Sequence, residues 1–225
     1  MRERATALGV ALGLAVAGLA CSSAESNVVN QYFTALRAND QGTLTSFAMV
    51  AFDQKVDDWK VVSVGPGAKT PATLPDLVKK QKDLEAELAK NTRDARAWGN
   101  DLAVYPKLDQ VRSIHQKGGK VPAALQPIAE KWDNYQSEDR RLKKAVGDAK
   151  SAVEREKRNV GLSVGQTEDI ETLTGEVLSK DVDLSLTIGG QVKPYVMTLR
   201  KYELTGGTGP RMISRWVVQS LVPKG

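Results

Sequence analysis

The chain has 225 residues, of which 41% are hydrophobic and 26% are charged. These proportions are ordinary for one or two soluble globular domains and exclude disorder throughout the chain. The 32 Lys and Arg residues exceed the 27 Asp and Glu residues only mildly, and a single cysteine with a single histidine excludes an internal disulfide and a cysteine-based zinc site. We predict neither a metal site nor another cofactor.

The first twenty residues differ in composition from the rest. A short charged start with Arg2 and Arg4 is followed by an uncharged run over residues 5–19, which predicts a secretory signal peptide over residues 1–20. A membrane-spanning helix needs roughly 20 apolar residues. The run is shorter than that, so a plain anchor helix is the less favoured interpretation.

The residues Gly18-Leu19-Ala20-Cys21 resemble a bacterial lipobox. The resemblance implies that Cys21 becomes the lipidated, palmitate-bearing first residue of the mature protein, with residues 21–26 as a tether. It also implies an exported lipoprotein, anchored to a bacterial membrane and facing the periplasm or the cell exterior. Ordinary cleavage that leaves Cys21 as a free thiol is the alternative.

Two amphipathic helices and a strand follow the tether. Apolar residues recur at helical spacing over residues 28–36, and Thr43 can cap a second helix with Leu44 and Phe47 on its apolar face. Residues 57–64 change to the alternation of a strand. Residues 65–75 contain two Gly and three Pro and predict a linker.

The middle of the chain carries a seven-residue repeat on both sides of Gly118-Gly119, which permit a reversal. The repeat runs through Leu74, Leu77, Gln81, Leu84, Leu88, Asn91, Ala95, Trp98, Leu102 and Tyr105, and then through Val121, Leu125, Ile128, Trp132, Tyr135, Asp139, Leu142, Val146, Ala149, Val153, Glu156 and Val160. Helices joined by a short connection run antiparallel. Residues 74–160 therefore predict an inserted coiled-coil hairpin.

The reversal also predicts which residues of the two arms face each other. Their numbers should sum to about 236, which places Leu102 near Tyr135 and Tyr105 near Trp132. Pro106 interrupts the first arm, because a proline inside a helix removes a hydrogen bond and costs about 3 kcal/mol. A kink, or a separate short distal helix, is expected there.

The last third of the chain alternates with period two and predicts antiparallel strands. Gly189-Gly190 predicts a two-residue hairpin turn, and a change of parity between Leu199 and Tyr202 predicts a bulge near Arg200. Residues 172–180 predict a separate strand before the hairpin, and residues 212–222 a last one. The predicted fold is α+β. A curved antiparallel sheet packs on the N-terminal helices in a discontinuous domain of residues 27–64 and 165–225, interrupted by the hairpin.

This order of elements resembles the nuclear transport factor 2-like (cystatin-like) superfamily, and in particular the small bacterial lipoproteins that carry its α+β cone. The likeness rests on Val28-Val29-Asn30-Gln31-Tyr32-Phe33-Thr34-Ala35-Leu36, Asp40-Gln41-Gly42-Thr43-Leu44, Trp59-Lys60-Val61-Val62-Ser63-Val64 and Trp216-Val217-Val218. It covers about residues 27–64 and 170–222, with the hairpin in place of the family's third helix. It implies a cone with an internal pocket.

Two sets of candidate binding residues follow. Inside the implied cone, the polar and aromatic residues that could hold a small ligand are Tyr32, Tyr195, Arg200, Tyr202 and Trp216. On the outer side of the hairpin, a basic run that could meet an acidic partner or anionic head groups comprises Arg140, Arg141, Lys143 and Lys144, although a solvated face is the simpler interpretation. The aromatic set Trp98, Tyr105, Trp132 and Tyr135 is either seam core or a binding patch.

No catalytic constellation emerges from these residues. The only histidine, His115, falls at the predicted hairpin turn and is a poor general base. We predict a non-enzymatic cell-envelope lipoprotein that acts as an interaction or scaffold module through its hairpin, with an envelope protein as partner and without a nucleic-acid partner. The alternative is a small-ligand carrier or an enzyme that uses the cone pocket. A cone filled by side chains would favour the interaction module. The oligomeric state is not predicted.

Overall fold

A computed structural model describes residues 23–165, 169–206 and 212–225. The predicted signal peptide and Cys21 lie outside the described residues. The helices are α1 (Ala24–Arg37), α2 (Gln41–Phe47), α3 (Leu74–Gly99), α4 (Tyr105–Gln116) and α5 (Gln126–Val164), and the strands are β1 (Asp58–Val64), β2 (Ala68–Pro71), β3 (Thr174–Ile188), β4 (Gln191–Thr205) and β5 (Val217–Pro223). The predicted α+β class is confirmed. Within the described ranges, no helix has the length and apolar character needed to cross a membrane.

The two N-terminal helices begin at side chains that cap them. The Ser23 hydroxyl accepts a hydrogen bond from the Ser26 backbone N–H at 3.2 Å, and Asp40 Oδ1 accepts one from the Thr43 N–H at 2.9 Å. Such caps satisfy donors that the first helical turn leaves unpaired. The cap of α2 is therefore Asp40, and the prediction that Thr43 fills this position is wrong.

The sheet is antiparallel and open, with strand order β1-β3-β4-β5 and with β2 beside β1 on the same edge of β3. Residues 65–75, predicted as a linker, contain strand β2. A second strand forms there because β3 is longer than β1, which pairs only with residues 182–187. The first half of β3 then has a free edge, and β2 occupies it by pairing with residues 176–179.

The long hairpin of β3 and β4 forms the centre of the sheet. Gly189 and Gly190 have φ angles of 58° and 76°, which confirms the predicted two-residue turn, since both positions need positive φ. Residues 172–180 were expected to form a strand of their own. From Thr174 onward they are instead the first part of β3, which runs unbroken for 15 residues.

The change of parity along β4 does not come from a bulge. Pairing with β3 runs without interruption past Arg200, which lies opposite Ser179. Pairing with β5 shifts register between Thr198 and Leu199. An irregularity therefore does fall near Arg200, as predicted, but it lies in the pairing with β5 and does not change the alternation along β4. Alternate residues of a regular strand point to opposite faces. Leu199 and Tyr202 therefore face opposite sides of the sheet, and because both are fully buried, each face has its own cover.

The two faces of the sheet are covered by different helices. One face packs on α1 and α2 in a core that includes Val29, Tyr32, Phe33, Leu44, Phe47, Leu184, Met197, Leu199 and Trp216. The other packs on the base of the hairpin, where the core includes Leu74, Val153, Val160, Val177, Tyr202 and Leu204. The hairpin thus shares a core with the sheet at its base. The division of the chain into a discontinuous domain and an insertion stays a prediction.

Helices α3 and α5 run antiparallel, as the heptads predict. Glu85 and Lys150 form an ion pair of 3.3 Å, close to the expected register, and farther along the arm the Trp98 and Tyr135 ring centroids lie 5.7 Å apart. Gly118 has a φ of 66° at the reversal. Paired glycines therefore sit where the chain turns back.

The distal part of the first arm is a separate helix, α4, with Pro106 in its first turn. The expected break is confirmed. The predicted contact between Leu102 and Tyr135 is wrong, however, because α3 already ends at Gly99. Leu102, predicted in the seam, lies in the connection and is 93% exposed, and Tyr105 is 53% exposed. Trp98 takes the place beside Tyr135 that was predicted for Leu102.

Candidate functional site

The seam between the two arms opens at the level where each arm carries a polar residue. Asn91 of α3 and Asp139 of α5 occupy heptad positions that apolar residues fill at most other levels, and both line one cleft of about 330 Å³. Asn91 Nδ2 donates a hydrogen bond to the backbone carbonyl of Tyr135 at 3.3 Å. We call this space the seam cleft.

The seam cleft lies where three helices meet. Gly99 ends α3, and a Cβ atom there would lie 3.2 Å from the Leu108 side chain, so glycine lets α4 approach closely. Leu108 and Val111 hold α4 in place, since both are fully buried. As a result Arg112 of α4 joins residues of α3 and α5 in lining the cleft.

One cation–π contact lies in the lining of the cleft and a second involves residues that do not line it. The Arg112 guanidinium lies 4.3 Å from the centre of the Trp132 ring, and the Lys131 ammonium lies 5.1 Å from that of Trp98. Each such contact is worth about 0.5–1 kcal/mol at an exposed site. Trp98, Trp132 and Tyr135 are only half-buried. The rings therefore serve as seam contacts and also remain accessible.

The charges that line the cleft are mostly positive. Lys143 pairs with Asp139 at 2.8 Å, so these two side chains neutralise each other. Arg96 and Arg112 also line the cleft, and neither has an ion pair with another described residue. Two guanidinium groups with unused N–H donors thus face the same space, next to Trp132 and Tyr135.

Comparison with family models, curated proteins and solved structures found no match to this chain. Its function is therefore inferred from its own geometry.

Three of the predicted cone residues lie in a filled hydrophobic core. Tyr32, Tyr195 and Trp216 belong to the cluster beneath α1 and α2. The Tyr32 hydroxyl donates to the Val50 carbonyl at 3.2 Å, and burial raises the pKa of this phenol to about 12. The Tyr195 ring packs edge-on against Phe52 with centroids 5.5 Å apart. These side chains pack against their neighbours and leave little room for a ligand.

The other two predicted residues lie on the opposite face, at the base of the hairpin. The Tyr202 hydroxyl donates to Glu156 Oε1 at 2.9 Å, and Arg200 lies 4.0 Å from the same carboxylate. Burial and the neighbouring Glu156 both raise the pKa of Tyr202. Asn159 Nδ2 donates to Glu156 Oε2 at 3.2 Å. The structure therefore does not bring the five residues together. The linings of four cavities formed by described residues include none of them.

The basic run on α5 is largely neutralised by its own helix. Arg141 contacts Glu138 with two hydrogen bonds of 2.8 and 2.6 Å, Lys143 pairs with Asp139 at 2.8 Å, and Lys144 lies 3.4 Å from Asp148. Such pairs lie three or four residues apart on one helix.

The two remaining predicted residues, Arg140 and His115, do not line the seam cleft. Arg140 is exposed. His115 lies in the last turn of α4, 3.7 Å from Asp133 and outside the cleft lining.

Sequence reasoning missed the residues that matter most in the seam cleft, namely Arg96 and Arg112. A usable signal was present, because one of the two polar interruptions in each arm falls near the same level, at Asn91 and at Asp139. Two polar interruptions whose numbers roughly match the antiparallel register indicate a polar opening in the seam. The approach of Arg112 had no such signal, since it depends on how α4 folds back.

Proposed function

We propose that this protein is a non-enzymatic cell-envelope lipoprotein whose helical hairpin is an interaction arm. The observation that carries the proposal is the seam cleft. The seam of a helical hairpin is normally filled by apolar side chains. Here it opens into a cleft of about 330 Å³, lined by the half-buried rings of Trp132 and Tyr135 and by the exposed guanidinium groups of Arg96 and Arg112, which have no ion pair with a described residue. Aromatic and arginine side chains are the residues most enriched at the centres of protein interfaces.

The base of the arm supports the same role. Leu74, Val153 and Val160 are buried against the sheet, and the Tyr202 hydroxyl bonds to Glu156 of α5. An arm held this way presents its distal surface in a defined orientation, which lowers the entropic cost of binding. The packed core around Tyr32 and Tyr195 leaves the cone pocket without comparable support.

The resemblance to the nuclear transport factor 2-like superfamily remains part of the proposal for the α+β portion. It is supported by the order α1-α2-β1 and by the antiparallel packing of β3, β4 and β5. In this proposal the cone serves as the platform that carries the arm.

The anchor is tested at Cys21. The change Cys21→Ser removes the sulfur that would carry the lipid, so the exported chain should move from the membrane fraction to the soluble fraction. Fractionation followed by immunoblotting measures this. Retention of the variant in the membrane fraction would contradict lipid anchoring.

The arm is tested by site-specific photo-crosslinking in the native envelope. A photoreactive amino acid at Leu102, which is 93% exposed at the α3–α4 connection, should capture a distinct protein. The matched control is Val192, which is 70% exposed on the β3–β4 hairpin and away from the arm. Equal crosslinking at both positions, or none at Leu102, would contradict the role of the arm.

A further inference from the structure

We propose that the seam cleft binds an acidic peptide segment of a partner protein, with its carboxylates on Arg96 and Arg112 and an adjacent aromatic or apolar side chain on Trp132 and Tyr135. This inference rests on the proposed interaction role of the arm and names the chemistry of its partner. It follows from three properties of the cleft: its charge, its rings and its surroundings.

The positive charge of the cleft favours binding of carboxylate groups. Lys143 and Asp139 are 2.8 Å apart and satisfy each other, whereas Arg96 and Arg112 have no ion pair among the described residues. A guanidinium carries five N–H donors in a planar fork that matches a carboxylate. Arg112 lies over the Trp132 ring at 4.3 Å, a contact that uses the face of its plane. The donors along the edge of that plane stay available for an anion.

The aromatic rings of the cleft favour a peptide in which an apolar or aromatic side chain lies next to the carboxylates. Trp132 and Tyr135 are half-buried, and the Tyr135 ring is held by Trp98 at 5.7 Å. A ring fixed in this way offers contact area without losing much conformational freedom on binding. A purely acidic chain would leave this surface uncovered.

The surroundings favour a segment of a protein over a small anion. Asn100 lines the cleft, and Leu102 follows two residues later, within about 7 Å along the chain. Leu102 and Tyr105 are exposed large hydrophobic side chains. A single anion bound between Arg96 and Arg112 could not also cover them, whereas a peptide that continues past the cleft could.

The test uses the exported chain with Cys21→Ser, which keeps the protein in solution, and fluorescence anisotropy of two labelled probes. One probe is a random copolymer of glutamate and tyrosine, and the other is polyglutamate of the same length. The copolymer should bind more tightly, because it supplies rings as well as carboxylates. The double variant Arg96→Gln and Arg112→Gln should weaken copolymer binding about tenfold or more, since hydrogen bonds to charged groups are strong.

The matched control is Arg93→Gln. Arg93 is an exposed arginine of the same helix that does not line the cleft, so its loss should change the affinity by less than about twofold. Trp132→Leu should remove the preference for the copolymer over polyglutamate. Unchanged helical circular dichroism shows that each variant keeps its fold.

Three outcomes would overturn the inference, and a fourth would overturn only the role of the arm. Equal copolymer binding by the double variant and by Arg93→Gln would mean that the cleft is not the site. Tighter binding to phosphatidylglycerol vesicles than to the copolymer, lost in the double variant, would assign the cleft to a membrane surface. A crosslink at Leu102 without copolymer binding would overturn this inference and leave the interaction arm standing. Copolymer binding without the crosslink would overturn the arm's role in the envelope and leave the site.

Discussion

The hydrogen bond between Tyr202 and Glu156 joins the arm to the sheet, and Tyr202→Phe isolates its contribution. The Tyr202 side chain is fully buried, and Glu156 is only 8% exposed. The phenylalanine ring fills the same space, so no cavity forms. The change removes only the hydroxyl that donates to Glu156 Oε1 at 2.9 Å.

The expected loss follows from the environment of the carboxylate. A hydrogen bond to a charged group contributes about 1.5–3 kcal/mol, and a buried acceptor left unpaired also loses its hydration. Glu156 keeps the Asn159 donor at 3.2 Å and the Arg200 charge at 4.0 Å. We therefore expect the free energy of unfolding to fall by about 2 kcal/mol. For a chain of this size the melting temperature should fall by about 4–8 °C.

The assay is urea unfolding of the exported chain with Cys21→Ser, followed by circular dichroism. The midpoint should shift while the slope with denaturant stays the same. The matched control is Tyr195→Phe, because Tyr195 is also buried but its hydroxyl makes no hydrogen bond to a described residue. The control should stay within about 0.5 kcal/mol of the parent. Equal stability of the two variants would refute the claim that the Glu156 bond stabilises the junction.

Three further predictions concern stability. Leu142→Ala should lower the free energy of unfolding by about 2–5 kcal/mol, because Leu142 is buried in the hairpin. The control Leu102→Ala should change it by less than about 0.5 kcal/mol. Similar losses for the two variants in urea titrations would contradict the placement of these residues. Burial raises the pKa of the Tyr32 phenol to about 12 in the folded protein, against 10.0 for an unperturbed tyrosine. As pH rises, the unfolded chain therefore releases this proton first. The free energy of unfolding should then fall between about pH 10 and 12, by up to about 2–3 kcal/mol. That part of the alkaline loss should be absent in Tyr32→Phe. Gly175→Ala should lower the melting temperature markedly, because φ is +143° and a Cβ atom there would collide with the backbone of β4. The control Gly147→Ala should raise the melting temperature slightly, because a Cβ atom at this position of α5 meets nothing within 4 Å. A lower melting temperature in both variants would contradict the steric explanation.

Where a feature depends on residues close together in the chain, it could be predicted from the sequence. The hairpin turn at Gly189-Gly190 needs only two residues that tolerate positive φ. The break before α4 needs only Pro106 and the end of α3 at Gly99. The antiparallel arms follow from two heptad runs with a short connection.

The errors share a different cause. Leu102 continues the apolar spacing, but a helix that ends three residues earlier cannot keep it in the seam. The parity change at Leu199 and Tyr202 has the same pattern as a bulge within β4. The uninterrupted pairing with β3 shows that β4 is regular there, and two separate cores show that each face of the sheet has its own cover.

The sequence by itself determined the α+β class, the helical hairpin and the places where the chain reverses, because periodicity and glycine conformation act over a few neighbouring residues. Only the tertiary structure decided which face of each strand is covered and which side chains meet in the seam cleft. Arg96, Arg112 and Trp132 approach one another through the folding back of α4 onto α5. Contacts of that kind depend on packing between segments far apart in the chain, and no local pattern encodes them.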